Sequence, residues 1–323
     1  MPGAYVWMGL LAAGTAVATW MARHYALRGN LMDQPGDRRS HTVATPRGGG
    51  IAIVLVVLLA GSYLMAQQAS SPALWLGFLP GLLIVAGIGW WDDHRPLSPW
   101  LRLAVQAIAA LMLAVGAGWH SGHWLPALVA FGSVMVLVNV WNFMDGINGL
   151  AVSQAGLAAT AYAAVLGGAW GWLALGLVAS CLGFLPFNFP KARIFLGDVG
   201  SGALGFALAG LLTVATIDVP IARAPLLILP LCVFLVDAGF TLMRRILCNE
   251  SWWTPHVTHV YQKAARRFGH AAVTLVYAAV SAITLALMLA WPHITLGQSV
   301  WVVAVAYSVV SLCWFASRSG LRE

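Results

Sequence analysis

Apolar residues in this chain run in long blocks separated by short polar stretches. A helix needs about 20 mostly apolar residues to cross the hydrocarbon of a bilayer. On that measure the blocks predict helices near 4–22, 50–67, 73–91, 101–119, 124–141, 149–167, 170–187, 200–216, 225–243, 271–291 and 299–316. Eleven such helices make an all-α integral membrane protein with its two termini on opposite sides of the bilayer. The first block has no basic residues before it and Arg23 after it, so it reads as a retained span rather than a cleaved leader. No repeat or low-complexity tract interrupts the pattern, and one polytopic membrane domain is expected over 1–323.

Charge gives the pattern a direction. Sixteen of the seventeen Lys and Arg residues fall in alternate loops, and Arg223 is the exception. Cytoplasmic loops carry such an excess, so the N-terminus is expected outside and the C-terminus in the cytoplasm. Composition agrees: 60% of residues are hydrophobic and 8% charged, where a soluble domain has about 25% charged. Mean hydropathy is +0.83. The net charge of +7 is then mostly topological, and nucleic-acid binding is not expected. The four cysteines form no disulfide framework.

Candidate chemistry lies almost entirely in the basic loops, at 23–49, 92–100, 142–148, 188–199 and 244–270. The outer His120-Ser-Gly-His123 spacing reads as two solvated histidines. Asp92 and Asp93 stand together at a helix mouth, where adjacent carboxylates repel, oppose the helix dipole and suit a hard cation. Asn142, Asp145 and Asn148 cluster in one short connection, which is either a turn or a contact for a base or pyrophosphate. Asn188, Lys191 and Arg193 precede Gly197-Asp198-Val-Gly-Ser, where free N–H groups at a helix start can bind anions and Asp198 can carry a metal to them. The small residues that follow also suit helix packing. Arg38, His41 and Arg47 lead into three glycines with the same anion-binding character. His256 and His259 lack the companions of a zinc site and suit phosphate or sugar contact better.

Taken in order, these segments resemble the polyprenyl-phosphate N-acetylhexosamine-1-phosphate transferases. The resemblance rests on Asp33-X-Pro-X-X-Arg38-X-X-His41 with Pro46-Arg-Gly-Gly-Gly, on Asp92-Asp93, on Asn142-X-X-Asp145-Gly-X-Asn148-Gly and on Phe195-Leu-Gly197-Asp198-X-Gly-Ser. It covers nearly the whole chain. The histidine motif departs from the common pattern, because Thr258 takes the middle place between His256 and His259. That form is similar to a subgroup that initiates O-antigen synthesis (WbpL-type) and argues against the peptidoglycan transferase itself.

The resemblance implies transfer of HexNAc-1-phosphate from a UDP-N-acetylhexosamine to undecaprenyl phosphate, with release of UMP, at the cytoplasmic face of a bacterial inner membrane. Asp92, Asp93, Asp198 and His259 are the expected catalytic residues. Asp198 with Asn142 is the expected seat of Mg²⁺, or of Mn²⁺ in its place, since only hard oxygen ligands are on offer. Asp145 is expected on the uridine side, and Asp237, inside the ninth span, is expected to tie helices together. Expected partners are the UDP-sugar, undecaprenyl phosphate and the bilayer, with a homodimer left open. The alternatives are the peptidoglycan phospho-MurNAc-pentapeptide transferase and, in another class, a secondary transporter. A transporter should place its ionisable groups near the bilayer midplane, whereas these acids lie in loops.

Overall fold

A computed structural model describes residues 3–34, 43–67, 72–251, 253–254 and 256–321. Each of the eleven predicted blocks forms a helix. They are α1 Ala4–Arg28, α2 Ile51–Gln67, α3 Pro72–His94, α4 Pro99–Ser121, α5 Trp124–Phe143, α6 Leu150–Ala163, α7 Gly168–Asn188, α8 Gly197–Asp218, α9 Cys232–Leu247, α11 His270–Leu289 and α12 Leu296–Gly320. The ninth block opens as a 3₁₀ turn over Ala224–Leu231, where Pro230 cannot donate the next α-helical hydrogen bond. One further helix, α10 (Val260–Phe268), lies inside the segment read as the longest loop. Among the described residues, nine helical segments are long and apolar enough to cross a membrane, and the chain is a multi-pass membrane protein. The 14 residues of α6 extend roughly 21 Å, short of the ~30 Å hydrocarbon.

The core is organised around α8. Of its apolar window 89% is buried, against 17% for α1 and α12, so α8 is the axis and those two helices are its lipid-facing periphery. Small residues make this possible. A β-carbon at Gly205 would collide with the α5 backbone at Leu137, and one at Gly81 with the Phe206 ring of α8. Without a hydrophobic driving force between helices in lipid, such close backbone approach is what holds them together. Side-chain amides add to it: Asn139 of α5 donates to Gln106 of α4 at 2.8 Å.

At one end of the bundle the backbone packs tighter still. Strands β1 (Met32–Asp33) and β2 (Thr45–Pro46) pair antiparallel, with Met32 opposite Pro46. The chain then enters α2 through Gly48-Gly49-Gly50. Phe195 donates to Pro46 O at 2.7 Å, Gly49 to Phe195 O at 2.9 Å and Gly50 to Leu196 O at 2.8 Å. The amides of Gly49 and Gly50, which end a loop read from sequence as anion-binding, are therefore spent on backbone carbonyls. These glycines dock the start of α2 onto the start of α8. Substituting Gly50 by Ala puts a β-carbon onto Gly200 Cα, with the α8 backbone on both sides. We expect a loss of about 1–3 kcal/mol or more, read as a lower melting temperature in detergent. Gly87→Ala, with nothing within 4 Å, should be neutral to stabilising in the same assay.

Candidate active site

The site is built where the C-terminal ends of α3, α5 and α7 meet the N-terminal ends of α2, α4, α6 and α8. Its fixed point is Asp93, the buried penultimate residue of α3. Its carboxylate accepts from the N–H of Asp198 at 3.0 Å and of Val199 at 3.1 Å. These are donors at the N-terminus of α8, which the sequence offers to substrate anions; in the folded protein Asp93 holds them. Gly197 turns into α8 with φ +76° and lies so close that a β-carbon would sit 2.6 Å from Asp93 Oδ2. The Arg47 guanidinium donates to the backbone carbonyl of Asp93, with its buried Nε unpaired among the described residues.

Asp198 is thereby turned into a cleft. One carboxylate oxygen accepts from Asn142 Nδ2 at 2.9 Å and the other from Arg102 Nη1 at 3.0 Å. The same Arg102 nitrogen binds Asp92 Oδ2 at 3.1 Å, and Asp92 Oδ1 accepts the N–H of Leu97 at 2.6 Å. Asp92 therefore stands behind Arg102 and closes the α3–α4 turn, while its neighbour Asp93 faces the cavity. Arg102 is a site residue that the sequence reading used only for topology. Its signal was available, since a cation in the first turn of a helix opposes the dipole.

The polar cavity has a volume of about 550 Å³. Asp145 lines it half-buried, with its carboxylate in no hydrogen bond or ion pair among the described residues. Burial, then the charges of Asp198 and Asp93, push its carboxyl well above the usual carboxylate range. Asn188 lines the cavity but spends its amide on structure, donating to Ile194 O and accepting from Gly149 N. Asn148 donates to Pro190 O at 3.0 Å. Lys191 and Arg193 are exposed and lie outside the cavity lining. Arg38 and His41 fall outside the described residues.

The opposite wall is the segment leading into α10. His259 is its N-cap, 3% exposed, and its ring stacks on His256 with centroids 4.9 Å apart. His256 Nδ1 meets the hydroxyl of Thr258, the residue that replaces the middle histidine, at 2.9 Å. Tyr261 donates to Phe143 O at 2.9 Å and ties this wall to the Asn142–Asp145 turn. Tyr261, Gln262, Trp253 and His270 also line the cavity, and none was singled out from sequence as a site residue.

Segments from five separate stretches thus reach one cleft. The Glycosyl transferase family 4 profile matches residues 75–216. The chain is 31% identical to the decaprenyl-phosphate N-acetylglucosaminephosphotransferase of Mycobacterium leprae, over 84% of this chain and 79% of that protein. It is 30% identical to the probable undecaprenyl-phosphate N-acetylglucosaminyl 1-phosphate transferase of Bacillus subtilis, over 76% and 73%. The phospho-N-acetylmuramoyl-pentapeptide-transferase of Limosilactobacillus fermentum matches at 33% over 51% and 58%. The chain belongs to the polyprenyl-phosphate N-acetylhexosamine-1-phosphate transferase family. In this transferase each motif that carried the resemblance has at least one described residue lining the same cavity.

The transferase's donor set suits a hard divalent ion. Among the described residues no three His, Cys, Asp or Glu side chains form a ready cage. Mg²⁺ does not need one, since it is usually held by one or two carboxylates and completes its shell with water and substrate phosphate. Asp198 offers carboxylate oxygens of that kind, and the crowded charge around Asp145 favours a cation nearby. Asn142 would present its own oxygen there only with its amide turned over from the Nδ2-to-Asp198 contact.

The histidine wall gives a pH signature. Burial first, then the neighbouring His259 and Arg245, lowers His256 to about 4. Below the ordinary histidine value near 6.5 the unfolded chain takes up a proton that the folded chain refuses until about pH 4. Stability should therefore fall on acidification through that window. The melting temperature is expected to drop between pH 6.5 and pH 4, and to drop less in His256→Gln.

Proposed function

We propose that this protein transfers HexNAc-1-phosphate from a UDP-N-acetylhexosamine to undecaprenyl phosphate, releasing UMP and starting a lipid-linked surface glycan. O-antigen is the favoured product, on the form of the His256–Gln262 motif. The carrying observation is the convergence of Asp198, Asn142, Asp145, Arg102, Arg47 and His259 on one polar cleft at the mouth of the helix bundle. The excess of Lys and Arg in the loops around that mouth supports an active site on the cytoplasmic face of a bacterial inner membrane.

In the proposed reaction an oxygen of the lipid phosphate attacks the sugar-bearing phosphorus of the donor. The bond from that phosphorus to the UMP oxygen breaks, and UMP leaves with the electron pair. Both reactants are anions, so neutralising charge is the main task, and positioning supplies much of the rest. A phosphate monoester has its second pKa near ~6, so at neutral pH the nucleophile needs no strong base. Asp92 and Asp93 act instead on the frame: Asp93 fixes the start of α8, and Asp92 holds Arg102. Arg102 and Arg47 bring fixed positive charge to the cleft, and His259 offers an imidazole on its far wall. Asp198 and Asn142 would hold Mg²⁺, which supplies a Lewis acid for the pyrophosphate oxygens. Asp145, with no protein partner for its carboxylate, is free to accept from the uridine of the donor.

The test uses purified protein in detergent and a panel of UDP-HexNAc donors. UMP release is followed with and without undecaprenyl phosphate, with Mg²⁺ or with EDTA. UMP is expected only when lipid phosphate and Mg²⁺ are both present, and the active donor names the sugar. Asp198→Asn should lower turnover by about a hundredfold or more, as loss of a major electrostatic contact does. No UMP from any donor, with folded protein, overturns the reading.

A further inference from the structure

Beneath the cleft lies a second polar centre that the proposed chemistry does not use directly. Asp237, 1% exposed, sits in the middle of α9. A lone carboxylate there is costly in a bilayer, and this one is surrounded by donors. Oδ1 accepts from Val260 N at 3.0 Å, Trp314 Nε1 at 2.9 Å and Thr241 Oγ1 at 3.3 Å. Oδ2 accepts from Tyr261 N at 3.1 Å and the Tyr277 hydroxyl at 2.8 Å. The five donors come from α9, α10, α11 and α12, so one side chain joins four helices and caps α10.

The residue that begins α10 is His259. Its Nδ1 is buried, has no hydrogen-bond partner among the described residues and lies 3.8 Å from Asp237 Oδ1. A buried ring nitrogen with no partner is costly, and this carboxylate is an acceptor that faces it at 3.8 Å. The distance is longer than a hydrogen bond but within reach of a small ring rotation. Two restraints limit other rotations: the ring stacks on His256, and the His259 backbone N–H is held by Gln262 Oε1 at 3.3 Å. With Nδ1–H directed at Asp237, the remaining nitrogen, Nε2, is the one left for the cleft that His259 lines.

We infer that Asp237 is a positioning residue for His259: it fixes the ring's tautomer and angle, and so aims Nε2 at the anionic groups of the substrate. The inference rests on the transferase reading above. It assigns Asp237 a role in turnover beyond joining helices, exerted through His259 without contact to substrate.

A double-mutant cycle on UMP release tests it, with Asp237→Asn, His259→Ala and the pair. Each single variant should lower kcat by about ten- to a hundredfold, the range known for losing the orienting partner of a metal-bound histidine. The pair should be no worse than His259→Ala alone within about twofold, since a residue acting through the ring has nothing left to act on. Trp314→Phe removes one donor and leaves the carboxylate; it should lower the melting temperature while kcat stays within about twofold. Nitrogen-15 NMR of labelled histidine gives an answer that needs no Asp237 variant: His259 in the wild type should carry its proton on Nδ1. Losses that multiply in the pair, an undiminished kcat in Asp237→Asn, or a bare Nδ1 in the wild type would each overturn the inference. Those outcomes require wild-type enzyme that releases UMP, whereas a silent wild type removes the transferase reading itself.

Discussion

The contact between the Asp93 carboxylate and the first amides of α8 is what the rest of the site depends on. A helix N-terminus carries about half a positive charge and unsatisfied N–H groups. A carboxylate placed there is stabilised in turn, by charge-assisted bonds worth about 1.5–3 kcal/mol. Because the pairing joins the last turn of α3 to the first turn of α8, it sets where Asp198 stands and which way it faces. The glycines around it serve the same contact: Gly197, Gly200 and Gly50 let three chain segments meet with no side chain between them.

From that anchor the charges form an ordered series. Asp92 holds Arg102, Arg102 reaches Asp198, and Asn142 takes the other oxygen of Asp198. The resting cleft thus keeps its acids partly neutralised by its own cation. In the proposed reaction an anionic substrate would compete with Asp198 for Arg102, and the guanidinium would stay beside the new negative charge. Asp145 has no such internal partner, which distinguishes it from the other cleft acids.

Much of the fold was legible in the hydrophobic pattern, because a bilayer allows few solutions and a long continuous apolar block can cross it only as a helix. The exceptions have local causes. The 3₁₀ opening before α9 follows from Pro230, and α10 was hidden because nine polar-rich residues do not look like a span. At the site, residue types pointed to the right segments but not to their division of labour. Adjacent Asp92 and Asp93 look alike in sequence, yet one backs an arginine and the other clasps a helix end. The amides of Gly49 and Gly50, and those at the start of α8, looked available because backbone pairing between distant segments leaves no mark on composition. Arg102 carried a local mark, a cation in the first turn of a helix, but its partner in the cleft lies 96 residues away.

The hub at Asp237 also imposes an order on how the protein can be assembled. Two of its donors lie 23 and 24 residues further along the chain, the next 40 and the last 77. A ribosome delivers α9 to the membrane long before Tyr277 and Trp314 have been synthesised. Until α11 and then α12 follow, the carboxylate has only part of its shell, and the segment that carries His259 has an incomplete foundation. The cleft is thus finished from behind, by a helix that contributes nothing to its lining, and a nascent chain lacking that helix carries an unfinished site.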